Sequence, residues 1–323
     1  MVRPLKIGVQ LPEVERFVPW PELIAMARRA EDVGFDSLWF GDHLIYNQAD
    51  GSQRGPWEVW TSLAAVAAVT TTIELGPLVA STSFHAPAML AKMAATVDAI
   101  SGGRLIVGLG AGWNEREYLA FDFPYDRRVS RFDEAFTIIR TLLRTHRIDF
   151  AGEFYALQNC VIDPPPTRPG GPPLMLGSNS PRMLAIGLPH VDAWNVWWSI
   201  YGNTPAGFAD VRANVDAACR AVGRSPDEVE ATAAVYVQVG DGTGRSFGAN
   251  GPTHAEPVRG NVAAIAEQLG AFAAAGARHV MLVVDPINEA SIDFLGGVLE
   301  ILDSSQYHPI PFQDVVIEER GGS

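Results

Sequence analysis

Short apolar runs bounded by glycine, proline or acidic residues alternate along this chain with longer stretches whose apolar positions recur at helical spacing. The runs at residues 6–11, 36–40, 73–80, 105–109, 174–176, 193–197, 230–239 and 280–284 predict strands. Between them the pattern predicts helices at 19–33, 57–69, 87–100, 129–143, 205–222, 261–275 and 292–302, with another opening at Pro181. Pro21 falls in the first turn of its helix, where a missing N–H costs nothing, and Gly34 stops that helix. Phe132, Phe136, Ile139 and Leu143 make one apolar stripe. The rhythm breaks only at residues 148–173. There Phe150-Ala-Gly-Glu-Phe-Tyr-Ala-Leu reads as a β-hairpin, and the proline-rich stretch beginning at Pro164 reads as a rigid connector. Alternation resumes at once, so this is an insertion and not a domain boundary.

About eight strand–helix units is the count of a (β/α)8 TIM barrel. The expected architecture is therefore α/β: one barrel domain over residues 1–303, the 148–173 insertion near its mouth, and a tail over 304–323. A doubly wound open sheet would want a strand, a Gly-x-Gly-x-x-Gly turn and a helix near the start, and that signature is absent.

An apolar fraction of 47% against 19% charged residues allows a large core. The formal net charge of −13 repels phosphate backbones and anionic lipid, so nucleic acid and membrane surfaces are poor partners. An anionic cofactor stays possible, because backbone amides bind phosphate locally. Cys160 and Cys219 have no metal-ligand spacing and make no disulfide framework, which suits a reducing compartment. The opening Met-Val-Arg-Pro enters a strand at once, without the charged-then-apolar pattern of a signal peptide, and the expected location is cytoplasmic.

In a parallel barrel the loops after the strands' C-terminal ends gather at one mouth. Asp42 and His43, which end the run Ser37-Leu-Trp-Phe-Gly-Asp-His, are the first polar groups to place there. The long polar loop 42–55 that follows has the length of a functional segment. Gly177, Ser178, Asn179 and Ser180 open a helix with small side chains and free N–H groups, which suits either an anion site or an ordinary N-cap. Glycines 108, 110 and 112 read as a place where backbone comes close to a flat ligand.

Three ordered stretches carry a resemblance: Gly34 to His43, Ser101-Gly-Gly-Arg-Leu-Ile-Val-Gly-Leu-Gly-Ala-Gly-Trp-Asn-Glu115, and Arg127 to Leu143 with Arg131-Phe-Asp-Glu. Together with the hairpin and the Gly-Ser-Asn-Ser turn, they resemble the bacterial-luciferase-like flavin and deazaflavin oxidoreductases, over most of the chain up to about Trp197. The Trp-Phe-Gly-Asp-His and Gly-Ala-Gly-Trp-Asn forms look most like the branch that uses coenzyme F420. The resemblance implies an F420-dependent hydride-transferring enzyme acting on a small molecule, a barrel whose insertion covers part of the mouth, and a homodimer. It implies that Asp42 contacts the deazaflavin ring, that His43 sits beside the reacting carbon, and that Leu78–Val79 is a cis peptide backing one ring face. Ser81 and Thr82 would line that face, Ala111 would approach through its backbone, and Gly177, Ser178, Asn179 and Ser180 would hold the phosphate. His43 would act as general acid or base, or else only orient the ring.

Departures narrow the substrate. Where the sugar-phosphate dehydrogenases of this family have an acid after the fourth strand, this chain has Trp113. It has Asn47 where they have a tryptophan, and Trp197-Trp-Ser-Ile without their lysine. A sugar phosphate is therefore disfavoured. Trp113, Trp194, Trp197 and Trp198 would instead form an aromatic pocket for a neutral, apolar or ring-shaped molecule, with Trp113 and Trp197 as the substrate contacts; the alternative is that they are core or dimer-interface residues, as at least one of them is expected to be. The alternatives are an FMN-dependent monooxygenase, a non-catalytic cofactor carrier, and a metal-dependent barrel hydrolase using His43, His85, His190, Asp42 or Asp192. The hydrolase lacks a His-x-His pair after the first strand, and no metal is expected.

Overall fold

A computed structural model describes residues 3–48, 50–242 and 255–304. The chain begins β1 (Lys6–Gln10), α1 (Trp20–Asp32), β2 (Ser37–Phe40), β3 (Tyr46–Asn47), β4 (Gln53–Arg54), α2 (Val59–Ala67), β5 (Glu74–Pro77) and β6 (Ala80–Ser81). It continues with α3 (Pro87–Ser101), β7 (Val107–Gly110), α4 (Glu115–Ala120), α5 (Arg128–Thr145), β8 (Arg147–Ala151), β9 (Ala156–Val161), β10 (Leu174–Gly177) and α6 (Pro181–Gly187). It ends with β11 (Ala193–Val196), α7 (Pro205–Ala221), β12 (Glu230–Gln238), α8 (Val262–Ala274), β13 (His279–Asp285) and α9 (Glu289–Asp303).

The main sheet is parallel throughout, in the order β5-β2-β1-β13-β12-β11-β10-β7-β6. Strands at both ends of that order, β5 and β6, are halves of one predicted strand. The first half pairs with β2 through Ser37↔Glu74 to Phe40↔Pro77, and the second with β7 through Ala80↔Leu109 and Ser81↔Gly110. A further parallel bridge joins Leu75 to Leu105, so the sheet curls into a nearly closed barrel wrapped by helices. The expected 73–80 strand thus breaks at Leu78–Val79, where the backbone switches neighbours, and that bond is cis.

β2, β7, β11 and β13 are buried at every position, as expected of strands covered on both faces. Gly102 ends α3 in the left-handed conformation (φ 68°) that favours glycine. On α5, the buried Phe132 and Phe136 stack with centroids 5.5 Å apart.

Two elements were not foreseen. The 42–55 loop folds partly into the β3–β4 hairpin, and Arg54 ties it to the carbonyls of Val14 (3.1 Å) and Glu15 (2.8 Å). The short helix α4 follows Trp113 and Asn114, with Glu115 and Glu117 in its first turn. The insertion is observed as the antiparallel β8–β9 hairpin with its connector. The Glu134 carboxylate on α5 accepts the N–H groups of Glu153, Phe154 and Tyr155 and so seats the hairpin tip. The predicted tail from 305 onward and most of the glycine-rich 241–253 loop lie outside the described residues. Among the described residues no helix is long and apolar enough to cross a membrane.

Candidate active site

The loops at the C-terminal ends of the barrel strands enclose a cavity of about 590 Å³. Asp42 and His43 after β2, Leu78, Val79 and Ser81 around β6, Ala111 and Trp113 after β7, and Gly177 to Ser180 after β10 all line it. Residues from four strand ends, spread between positions 42 and 180, therefore meet at one mouth, as the sequence predicted. Thr82 does not line it. It is fully buried in the 3-10 turn Thr82–Phe84, and its Oγ1 has no protein partner.

Val79 projects into a gap left by glycines. A Cβ on Gly108 would lie 2.8 Å from its Cγ1, and Cβ atoms on Gly110 and Gly177 would lie 2.9 Å and 2.5 Å from its Cγ2. Gly112 has φ 72°, and a Cβ there would meet the Tyr118 hydroxyl at 1.9 Å. Gly108 and Gly110 make room for Val79 and Gly112 for Tyr118, while Gly110 and Gly112 also line the cavity with bare backbone. Gly177→Ala pushes into Val79, and overpacking of that kind costs roughly 1–3 kcal/mol. Chemical denaturation of the variant should show a lower midpoint with an unchanged slope.

The Asp42 carboxylate is buried and accepts the Ser81 N–H at 2.8 Å. Burial pushes its pKa up to about 7, against the opposing pull of the Ser81 N–H and of His43. The folded state then binds a proton more readily than the unfolded one, whose aspartate titrates near ~3.9. Between roughly pH 4 and 7, stability falls as pH rises, by up to ~1.4 kcal/mol per pH unit from this group. Asp42→Asn keeps the acceptor for Ser81 and removes the charge. Its denaturation midpoint should exceed wild type at pH 8 and lose that slope; an unchanged pH dependence would count against the protonated carboxyl.

His43 is held by a residue the sequence did not point to. Its Nδ1 lies 3.0 Å from Glu117 Oε2 and 3.2 Å from Oε1. Glu117 is 1% exposed, and its Oε1 also accepts the N–H groups of Leu44 (2.6 Å) and Ile45 (3.2 Å). The His43 ring packs against Tyr46 (4.7 Å) and Trp113 (5.6 Å). Burial pulls its pKa down, but the hydrogen bond to Glu117 and the charges of Glu13, Glu117 and Asp42 outweigh that and hold it above the usual histidine value.

At the far wall, Ser180 is the N-cap residue of α6 ahead of Pro181, as the N-cap reading expected, and its hydroxyl makes no cap hydrogen bond. Arg128, which also lines the cavity, was missed by sequence reading. Its guanidinium stacks 3.8 Å over Tyr125, and its buried Nη1 has no hydrogen-bond partner. The only sequence signal was an arginine pair just before an amphipathic helix. Gln10 and Glu13, from the end of β1 and the loop after it, also line the cavity and were not singled out in the sequence.

Among the tryptophans, Trp113, Trp197 and Trp198 line the cavity. Trp194 corrects the aromatic-pocket reading. It is fully buried, stacks on Phe208 at 6.3 Å, and donates its indole N–H to the Ser178 carbonyl at 2.6 Å. It braces the Gly177–Ser180 turn from behind and offers no face to a ligand. The histidine and acid set raised for a metal centre does not assemble either: Asp192 precedes β11 and pairs with Arg144, and His190 packs near Phe136. Among the described residues no group of three or more His, Cys, Asp or Glu side chains is placed to hold a metal ion.

A model of the luciferase-like monooxygenase family matches residues 6–243. Pyrimidine monooxygenase RutA of Cronobacter sakazakii is 32% identical over 209 residues, covering 62% of this chain and 60% of that protein. The 5,10-methylenetetrahydromethanopterin reductase of Archaeoglobus fulgidus is 28% identical over 236 residues, covering 73% of this chain and 64% of that protein. The matches thus span less than two thirds of these relatives' own length. Among solved structures, an F420-dependent secondary alcohol dehydrogenase in complex with an F420-acetone adduct superposes with a TM-score of 0.76 at 19% identity, covering 93% of this chain and 99% of that one. That last likeness speaks to the barrel fold. With the family model covering well over half of its length, the chain belongs to the luciferase-like monooxygenase family.

Proposed function

We propose that this protein is an oxidoreductase that binds coenzyme F420 in the barrel-mouth cavity and acts on a small neutral molecule. The observation that carries the reading is the convergence of Asp42, His43, Val79, Ala111 and the Gly177–Ser180 turn on one cavity of about 590 Å³. That volume lies in the range of small-molecule and cofactor sites. The residues fit a phosphorylated ring cofactor on two counts: Arg128 Nη1 is buried without a partner, and the Ser180 hydroxyl is not spent on capping. Arg128 and the 177–180 turn would hold the phosphate. Val79, fixed among its glycines, would back the ring, with Asp42, Ser81 and Ala111 beside it.

When bound, such a cofactor supplies hydride chemistry on a flat ring. The chain's own residues do the rest. Glu117 takes His43 Nδ1 and leaves Nε2 as the ring nitrogen available to a substrate. Trp113, Trp197 and Trp198 favour an apolar or ring-shaped substrate and exclude water from it. A homodimer and a cytoplasmic location belong to the same proposal.

The relatives include both F420 and flavin chemistry, so FMN with a monooxygenase reaction is the second reading, favoured by the similarity to pyrimidine monooxygenase. Fluorescence titration with F420 and with FMN separates them. Submicromolar binding of F420 and none of FMN supports the first reading; the reverse, with oxygen consumed in turnover, supports the second; binding of neither overturns both.

A further inference from the structure

Asn195 lines the cavity from β11 and is almost wholly buried, at 4% exposed. Its amide belongs to a buried chain of side chains that ends on sulfur in both directions. Thr232 Oγ1 lies 3.6 Å from Met175 Sδ. Asn195 Nδ2 lies 2.8 Å from Thr232 Oγ1 and 3.4 Å from Met281 Sδ. A thioether sulfur accepts hydrogen bonds and cannot donate them. The Thr232 hydroxyl therefore spends its proton on Met175, and its oxygen is left to accept. Both Asn195 N–H groups are then committed, one to Thr232 and one to Met281. Turning the amide over would set its oxygen against the Met281 sulfur, acceptor facing acceptor. The oxygen is thus held away from the chain, and among the described residues it accepts no hydrogen bond. With Nδ2 pointing into the protein, Oδ1 is the atom through which Asn195 meets the cavity.

The position of that oxygen matches the surface on which a ring is proposed to lie. Asn195 pairs in register with Gly177 of β10. A Cβ on Gly177 would lie 2.5 Å from Val79 Cγ2. The Asn195 side chain therefore stands beside the Val79 surface, at the edge of whatever lies flat against it. A ligand carbonyl placed there would leave two acceptors facing each other in a buried site, whereas an N–H would satisfy Oδ1.

We propose that Asn195 is a cofactor-binding residue whose Oδ1 accepts the imide N–H of the ring, and that it makes the cavity selective for rings unsubstituted at that nitrogen. This rests on the reading of the cavity as a deazaflavin or flavin site. Both ring systems carry an N–H between two carbonyls, so the contact fixes which edge of the ring enters first and does not choose between them.

The test is a fluorescence titration of the full chain, without substrate, with F420, with FMN, and with each of them methylated at the imide nitrogen. For whichever parent ring binds the wild type, methylation should weaken binding by roughly 10–100-fold, because it removes the donor and leaves Oδ1 unpaired in a buried site. In Asn195→Ala the parent ring should weaken by a similar factor. The penalty for methylation should vanish there, since neither the acceptor nor its bulk remains. Equal affinity of parent and methylated rings for the wild type overturns the proposal, because Oδ1 would then face water. An Asn195→Ala variant that weakens both rings alike also overturns it, because Asn195 would then be only structural. Should that variant not fold, the wild-type ratio decides alone. Binding of neither parent ring overturns the cofactor reading and this proposal together, whereas a bound parent without a methylation penalty overturns this proposal alone.

Discussion

His43→Ala is expected to lower turnover by about 10²–10⁴-fold, the usual contribution of a positioned acid or base. Cofactor affinity should change by only a few-fold, because the contacts proposed to hold the cofactor come from other elements: Val79, Arg128 at the start of α5, and the 177–180 turn. The stability cost should also be small. His43 packs on Tyr46 and Trp113, yet its ring borders an open cavity, and Glu117 keeps its bonds to Leu44 and Ile45. Steady-state kinetics beside a fluorescence titration of the cofactor separates the two quantities. Unchanged turnover would remove His43 from the chemistry; loss of binding in step with turnover would make it a ring-orienting residue.

The largest stability effect is expected far from the mouth, at Asp98. This α3 carboxylate is fully buried. Its Oδ1 accepts Arg168 Nη2 (2.8 Å) and Nε (3.2 Å), and its Oδ2 accepts the Thr167 N–H (3.1 Å). Arg168 also donates to the Leu105 carbonyl at the start of the fourth barrel strand. The pair thus pins the proline-rich connector of the insertion to the barrel wall. Asp98→Ala leaves a largely buried guanidinium without its counter-charge, and breaking a buried pair from one side costs about 3–5 kcal/mol. Removing both partners, in Asp98→Ala with Arg168→Met, should recover part of that loss. Denaturant unfolding measures both. A single-variant loss under ~1 kcal/mol would mean that the pair is not what fastens the connector.

Much of the barrel was legible because parallel strands covered on both faces must be continuous apolar runs. Residues 105–109, 193–197 and 280–284 carry that mark and fall on β7, β11 and β13. The split of the third strand was not legible, since exchanging one hydrogen-bonding neighbour for another leaves no period in the sequence. Helix α4 escaped notice because six residues are too few to establish a 3.6-residue stripe. With it went Glu117, whose partner His43 is contiguous only in space.

Glycines 108, 110 and 112 announced that side chains are forbidden there, but not that Val79 and Tyr118 are what forbid them. Composition likewise marks Trp194 and Trp113 as the same kind of residue. Position separates them: Trp194 lies within β11 and braces the 177–180 turn, whereas Trp113 stands on a loop and is 53% exposed. Asp42 and His43 were readable because the end of a barrel strand is where working groups gather.

The central claim is that the barrel mouth holds a flat ring against Val79 with its phosphate between Arg128 and the 177–180 turn. The most direct measurement is a crystal structure of the protein soaked with F420 and, separately, with FMN. The account predicts ring density between Val79 and His43, with phosphate density within hydrogen-bonding reach of Arg128 and Ser178 to Ser180. A bound ring that leaves Val79 uncovered, or a phosphate seated elsewhere on the barrel, would contradict it.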